Sequence, residues 1–467
     1  MNILSQAIQI AQEKMSKSFS ETLELYLSPL NWNPSSLNYA SLIEELDMKF
    51  HQLARDSLIE LLENMDKQYR DSKARKDIYY IKNTRKRSLV TLFGLITYCR
   101  TEYQNKITGE SFCYIDRKIG LEKRVRYDPV ICCLAYEMYA DHNSMIKVGK
   151  LLGDRIYGFS LNSKRNYEAI PRQTIWRMLN RFKEISIPII PREKTPSVLY
   201  IMADEKFIAL QGKDKPSSKL MNKLGVCFEG IEENDYRPSL NKPYYFYYQE
   251  GSFWPQLFES LSMMYDINQI KELYILGDGA TWIKAGTSEF DHSQFGLCKF
   301  HFQQAVNHIT DDPKIKHMII NYAIHHDTYN LKILFTLLLE DNPSRQDVLQ
   351  QKFDYILNNL KGIHTMYSKI KIGCPMEQVI QHVLQSPFTS IPKAYSHKYL
   401  PTYISSRIHH QNHFDLRKIY LTALDSSDNK SYVNLSNTYH DFTLSDKNSS
   451  KPTYSIHLPY SGALNKY

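Results

Sequence analysis

LYILGDGATWIKAG, residues 273 to 286, opens on the run Leu273 to Leu276 and breaks at Gly277-Asp278-Gly279. A short apolar run closed by glycines reads as a buried strand passing into a loop that starts a helix. Asp278 then sits at the carboxyl end of a strand, the edge of an open α/β sheet where ligands and catalytic groups collect. A second carboxylate has the same setting, because the uncharged run Val198 to Ala203 is followed at once by Asp204. Two buried strands that each deliver an aspartate suggest a metal site. Strand alternation turns Glu205 to the opposite face, which makes it the weaker ligand.

Upstream of this stretch, Pro188, Pro191 and Pro196 mark a boundary after which the pattern changes to strands. Val198–Ala203, Leu224–Ile231 and Tyr244–Tyr248 are the expected strands, and a helix over Phe253–Met264 precedes the strand that ends at Asp278. Three strands able to form a meander, then a helix crossing to a further strand, is the element order of a ribonuclease-H-like sheet. In that sheet the first and fourth strands are neighbours, which would bring Asp204 and Asp278 together.

Downstream, a strand at Phe295–Leu297 runs into Cys298-Lys299-Phe300-His301. Cys-x-x-His is half of a zinc site that Cys374 and His382 could complete, although no second tight pair is present. From Phe302 to about Gly362 the pattern is helical, and GCPMEQVIQHVLQSP, residues 373 to 387, then begins another helix carrying Glu377. Val379, Ile380, Val383 and Leu384 can pack on the sheet while Glu377 faces its edge. Glu289, Glu340 and Asp354 are the competing choices for a third acid.

The N-terminal region differs in character. Leu42, Ile43, Leu46, Phe50, Leu53, Leu58, Leu61 and Leu62 recur near helical spacing. A basic run, Lys82, Arg85, Lys86 and Arg87, leads into a hairpin around Gly94, with Arg100 and Tyr103 on the return strand and Arg117, Lys118, Lys123, Arg124 and Arg126 beyond. Such runs are either solvated faces or phosphate contacts. Helices follow from Pro129, from Ser144 to Leu152 and from Pro171. The last presents Arg172, Gln173, Arg177, Arg181 and Lys183, which suits a helix-turn-helix reader of the major groove as well as an ordinary helical subdomain. The linker Gly153–Ile170 is longer than the tight turn of that motif.

The whole chain sets outer bounds. Its 467 residues exceed one simple core and predict two or three domains. Lysine plus arginine number 58 against 50 acidic residues, a net charge of +8, which fits nucleic-acid binding without requiring it. Seven cysteines, an odd count without framework spacing, point to a reducing compartment. With no secretory or membrane-spanning pattern in the sequence, a soluble, cytoplasmic protein is expected.

ADEKFIALQ (203–211), GDGATWIKAG (277–286), CKFHFQQAV (298–306) and GCPMEQVIQHVL (373–384) follow one another in this order. Together with RSLVTLFGLITYCRTEY (87–103) and IDRKIGL (115–121), they resemble the ordered blocks of a bacterial insertion-sequence transposase family of the mutator-like DDE group, long catalogued as uncharacterised protein. The likeness extends from about residue 80 to 400.

The resemblance implies a mixed α+β and α/β fold: a ribonuclease-H-like catalytic domain split by a helical insertion, behind a mainly helical N-terminal DNA-binding region. The expected divisions are 1–75 helical, 76–190 hairpin plus helices for DNA binding, 196–301 with 366–424 catalytic, 302–365 the insertion, and 425–467 a tail. Carried over by position, Asp204, Asp278 and Glu377 form the acidic triad for two Mg2+ (or Mn2+) ions. Cys298 and His301 match the family's Cys/Asp-x-x-His signature near the active site. Lys82, Arg85, Lys86, Arg87, Arg172, Gln173, Arg177 and Arg181 are the expected DNA contacts, with element ends and target DNA as substrates, a homo-oligomer on DNA and no membrane. The chain departs from the family pattern at Phe207, where histidine is frequent, and at Pro387, where arginine is usual. An inactive, DNA-binding relative and an unrelated metal-dependent phosphohydrolase using Asp204 and Asp278 are the competing functional expectations.

Overall fold

A computed structural model describes residues 35–121, 124–158, 169–181, 189–213, 216–233, 239–248, 251–370, 372–389 and 394–426, with a few helical positions between 13 and 24. The expectations for Lys123, Phe182, Lys183, Pro188 and the tail beyond Ser426 fall outside the described residues. The chain forms two units, Met1–Ser186 with Asp415–Val433, and Ile187–Phe414 with Asn434–Tyr467. Among the described residues no helix is long and apolar enough to cross a membrane, and all seven cysteines are free.

In the first unit, helix α1 (Ser36–Asp71) starts where the Ser35 side chain accepts the Asn38 N–H at 3.1 Å, satisfying one of the donors that a helix start leaves open. After α2 (Lys73–Ile78), strands β1 (Tyr79–Thr91) and β2 (Gly94–Asn105) form an antiparallel hairpin, and β3 (Ser111–Cys113) adds to β2. Gly94 takes φ +106° at the turn, a conformation open to glycine. Leu62 of α1 packs with Leu89, Ile96, Tyr98, Ile115 and Leu121. Buried Asp66 accepts hydrogen bonds from Thr101 (2.5 Å) and Tyr103 (3.3 Å), which ties the helix to β2. The short α3 (Tyr114–Lys118) precedes α4 (Pro129–His142), which is capped by Asp128 with proline in its first turn. Then come α5 (Met145–Tyr157) and α6 (Arg172–Arg181). The tight turn among these helices is Asn143-Ser144, with Asn143 at φ +46°. A helix at Leu416–Ser426 belongs to the same unit, where Arg417 donates to Glu137 of α4 at 2.9 Å.

One expectation for this unit is corrected. Arg87 is 7% exposed, lies 2.7 Å from Asp116 and donates to the Val125 carbonyl at 2.8 Å. Alternation along β1 turns Arg87 inward from its exposed neighbours Lys86 and Ser88, so it belongs to an internal ion pair and not to a solvent-facing basic run.

The second unit is built on β4 (Val198–Gln211). β5 (Lys219–Phe228) pairs antiparallel with it, the small ribbon β6 (Gly230–Glu232) and β7 (Ser239–Asn241) follows, and β8 (Tyr244–Phe246) pairs with β5. Helix α7 (Phe253–Met264) then crosses to β9 (Glu272–Gly277), which lies parallel to β4 on its other side. Beyond α8 (Thr281–Lys284), β10 (Ser293–Leu297) pairs parallel with β9. The strand order is therefore β10-β9-β4-β5-β8. Leu199, Ile201 and Ala203 of β4, with Leu273 and Ile275 of β9, bury one face against Leu257 and Leu261 of α7.

From Lys299 to Ser368 the described chain is helical: α9 (Lys299–Ile309), α10 (Pro313–Ile324), α11 (Thr328–Asp341), α12 (Gln346–Asn358) and α13 (Leu360–Ser368), with one turn of 3-10 helix at Pro343–Arg345. Their core, including Phe302, Phe335, Phe353 and Ile363, continues into Leu297 of β10. α13 lies so close to β10 that a Cβ on Gly362 would stand 2.7 Å from the Phe295 ring. α14 (Met376–Ile380), a π-helical turn at Gln381–Gln385, α15 (Ser386–Thr389), β11 (Tyr395–Ser396) and α16 (Leu400–Gln411) complete the unit.

The first strand differs from its expected length. It does not stop at Ala203, because β5 hydrogen-bonds it from Tyr200↔Phe228 to Ala209↔Lys219. Asp204 is consequently a mid-strand residue, and the sheet opens beside it only because β9 pairs no further than Met202↔Leu276.

Candidate active site

The end of β9 places the acids. Its last pairs are Leu276 with Met202 on one side and Gly277 with Leu297 on the other. Continuing the register sets Asp278 beside Asp204 in one direction and beside Cys298 in the other, and the Cys298 N–H donates to the Gly277 carbonyl at 2.8 Å. At Gly277 an added Cβ would meet Ile283 at 2.8 Å and the Ala203 carbonyl at 3.0 Å, so glycine is what lets β9 and α8 close up at this point. Gly279 takes φ +94°, which turns the chain sharply after Asp278. The Asp278 side chain accepts the Ala280 N–H at 2.9 Å, and its main-chain carbonyl accepts the Tyr355 hydroxyl at 2.6 Å.

Asp204 accepts the Glu205 N–H on Oδ1 at 2.7 Å. Glu377 comes from the first turn of α14, which packs on β4. Met376, Val379, Ile380, Val383 and Leu384 are buried, while Glu377 is exposed. Burial, then the charges of Asp278, Glu205 and Glu377, push the Asp204 carboxyl up to about 7, against the lowering effect of the Glu205 N–H. The three acids do not close into a cage, since among the described residues no group of three His, Cys, Asp or Glu side chains is arranged to hold a metal ion. The donor set is nonetheless all carboxylate oxygen, which suits a hard divalent cation, and mutual repulsion at Asp204 is what a cation would relieve. Glu205 is engaged elsewhere: it accepts the Trp282 indole N–H, and Lys223 stands 4.8 Å over the same ring.

Cys298 caps α9. The Cys298 thiol donates to the Cys374 carbonyl at 3.7 Å. Its interaction with the Cys374 side chain, the His301 and Phe300 N–H groups and the His301 charge pull the Cys298 thiol down to about 7, with burial opposing, while the Cys374 thiol beside it is pushed well above the ordinary range. His382 is exposed, and these side chains are not gathered into a zinc site. Glu289, Glu340 and Asp354 are also exposed, and Asp354 accepts a hydrogen bond from Gln350 at 2.9 Å.

The candidate DNA contacts divide. Lys82, Arg85 and Lys86 are exposed on β1, but Lys82 and Arg85 lie 3.4 and 3.7 Å from Glu102. Arg172, Gln173 and Arg177 are exposed on α6, and Arg181 is its last residue. Tyr355 and Trp282 are site neighbours that sequence reasoning did not single out. Trp282 stood in the deciding stretch, whereas Tyr355 carries no local signal because it is one aromatic residue in an amphipathic helix.

A model of the uncharacterised protein family UPF0236 matches residues 33–422. One UPF0236 protein of Caldanaerobacter subterraneus subsp. tengcongensis is 26% identical over 394 residues, covering 82% of this chain and 80% of the relative. A second from that organism is 26% identical over 409 residues, covering 85% and 84%. A UPF0236 protein in the vanSb 3′ region of Streptococcus gallolyticus is 24% identical over 349 residues, covering 70% and 72%.

Proposed function

The chain belongs to the UPF0236 family, and we propose that it is a DDE transposase that cuts the ends of an insertion sequence and joins them to target DNA. The observation that carries this reading is that Asp278 follows directly on β9, whose parallel register with β4 extended by two residues sets it beside Asp204, with Glu377 near enough to raise the Asp204 carboxyl. The strand order, with a long central strand β4 parallel to β9 and β10 on one side and antiparallel to β5 alone on the other, fits a ribonuclease-H-like catalytic domain. The helices from Lys299 to Ser368 fit the insertion that splits it. A further support comes from the relatives, since one carries eleven locus designations in its name and another carries four. Recurrence at many loci of one organism is what a self-moving element leaves behind.

In this reading Asp204, Asp278 and Glu377 would hold two Mg2+ or Mn2+ ions, whose chemistry when bound would be charge neutralisation at the phosphodiester. Asp278 is oriented through the Ala280 N–H on one oxygen, leaving the other for the cation. Asp204 must release its proton to serve. Glu377, exposed at a helix start, is the acid best placed to adjust as DNA enters. His301, half-buried three residues into α9, lies at the neighbouring strand end. Lys82, Arg85 and Lys86 are positioned for phosphates, and Arg172, Gln173 and Arg177 for phosphates or base edges. Cutting two element ends calls for a homo-oligomer on DNA.

The test uses the purified chain with linear DNA carrying the sequences that flank its gene. Mg2+-dependent nicks that leave 3′-hydroxyl ends, and products joined to a second DNA, are expected. Both should be lost in Asp204→Asn, Asp278→Asn and Glu377→Gln. Tight binding of those ends without cutting would instead identify an inactive relative. Hydrolysis of small phosphoesters with no DNA binding would identify a phosphohydrolase.

A further inference from the structure

We propose that Tyr355 and Asn359, both from the helical insertion, are positioning residues that set the Asp278 carboxylate for cation binding. The proposal rests on the reading of Asp204 and Asp278 as metal ligands, and extends it to a part of the chain that offers no ligand.

Tyr355 lies 77 positions from Asp278 in sequence, yet its hydroxyl donates to the Asp278 main-chain carbonyl at 2.6 Å. Asn359, in the break between α12 and α13, is 5% exposed, and its Nδ2 donates to the Tyr355 carbonyl at 2.7 Å. Its Oδ1 is buried without a hydrogen-bond partner and faces the Gly279 Cα, since a Cβ built there would stand 2.6 Å away. Lys284, just past the loop, reaches the Asn358 carbonyl at 3.4 Å. Two successive points are thereby hydrogen-bonded, the Asp278 carboxylate by Ala280 and its carbonyl by Tyr355, and Asn359 packs against the Gly279 turn while bonding the Tyr355 main chain.

The chemistry points to positioning more than to packing. Leu349, Phe353 and Ile356 already supply the buried face of α12, and a phenyl ring at 355 would fill the same space. What the hydroxyl adds is a bond to the loop that carries a ligand. A carboxylate and its own main-chain carbonyl share one Cα, so freedom in the peptide becomes freedom in the ligand. Ligands held less firmly bind metal less tightly, which is how groups outside the first coordination sphere tune affinity.

The experiment titrates full-length wild type, Tyr355→Phe and Asn359→Ala with Mn2+ alone by calorimetry, with Tyr329→Phe as a control from an exposed site in the same insertion. Unfolding in EDTA is measured alongside. For Tyr355→Phe the Mn2+ dissociation constant should rise roughly five- to tenfold, the change that one lost hydrogen bond of about 1 kcal/mol gives. Asn359→Ala should move in the same direction and Tyr329→Phe should not move. The cleavage rate of Tyr355→Phe should recover at high Mn2+, whereas that of Asp278→Asn should not. Equal Mn2+ affinity in wild type and Tyr355→Phe, with Tyr355→Phe losing only stability in EDTA, overturns the positioning role and leaves the active-site reading intact. Wild-type protein that binds no Mn2+, or binds it unchanged in Asp204→Asn and Asp278→Asn, overturns both.

Discussion

Replacing Asp204 with asparagine should make the metal-free protein more stable at pH 8 and abolish its response to divalent cations. Burial and the neighbouring acids raise this carboxyl from its ordinary value to about 7. The native state then holds a proton that the unfolded state has already released, between about pH 4 and pH 7. Stability is therefore lost as pH rises through that window and levels off above it. At 1.36 kcal/mol per decade, the ionised side chain costs the native state about 4 kcal/mol at pH 8, and nothing below about pH 3 where both states are protonated. Asparagine keeps the shape, and its oxygen can still accept the Glu205 N–H, so Asp204→Asn should gain up to about 4 kcal/mol at pH 8, roughly 10 °C for a unit of this size. Urea unfolding in EDTA at pH 4.5, 6 and 8 measures the gain. Adding Mn2+ at about a hundredfold excess over its dissociation constant should return about 2.7 kcal/mol to the wild type and nothing to the variant. A variant no more stable than wild type at pH 8 in EDTA, or one stabilised equally by Mn2+, would refute the reasoning.

Other perturbations separate the remaining parts of the site. Glu377→Gln should fold and bind DNA normally but lose Mg2+-dependent cleavage, while Glu340→Gln cleaves as wild type; the reverse pattern in a nicking assay would show that the third acid lies in the insertion. Gly279→Ala forces a Cβ onto a φ of +94° and against Asn359, and should cost about 2–3 kcal/mol in urea unfolding, from backbone strain of about 1–2 plus a displaced hydrogen bond. Arg87→Ala leaves Asp116 to Arg100 alone in a buried setting and should destabilise the first unit by about 3 kcal/mol. Lys86→Ala should change stability by no more than about 0.5 kcal/mol and instead lower the salt slope of DNA binding by about one.

Local sequence pattern determined the parts of this protein that depend on residues near one another in the chain. The run before Gly277 had to be a strand because it is short, apolar and closed by glycines. Asp128-Pro129 had to start a helix because a carboxylate can cap it and proline loses nothing in the first turn. The GCPMEQVIQHVL block displayed its buried positions and its one exposed acid through helical spacing. Tertiary structure decided the rest. Whether β4 ends at Ala203 or runs on through Asp204 depends on β5, a partner that local periodicity does not see. Arg87 looked like its basic neighbours, and only the inward turn of β1 onto Asp116 separated it from them. The Asp204 carboxyl rises chiefly because folding buries it, and further because Asp278 and Glu377 arrive beside it from distant stretches, a convergence that no single stretch contains. For the same reason Tyr355 was invisible in the sequence: its hydroxyl acquires a role only where the insertion folds back onto the Asp278 loop.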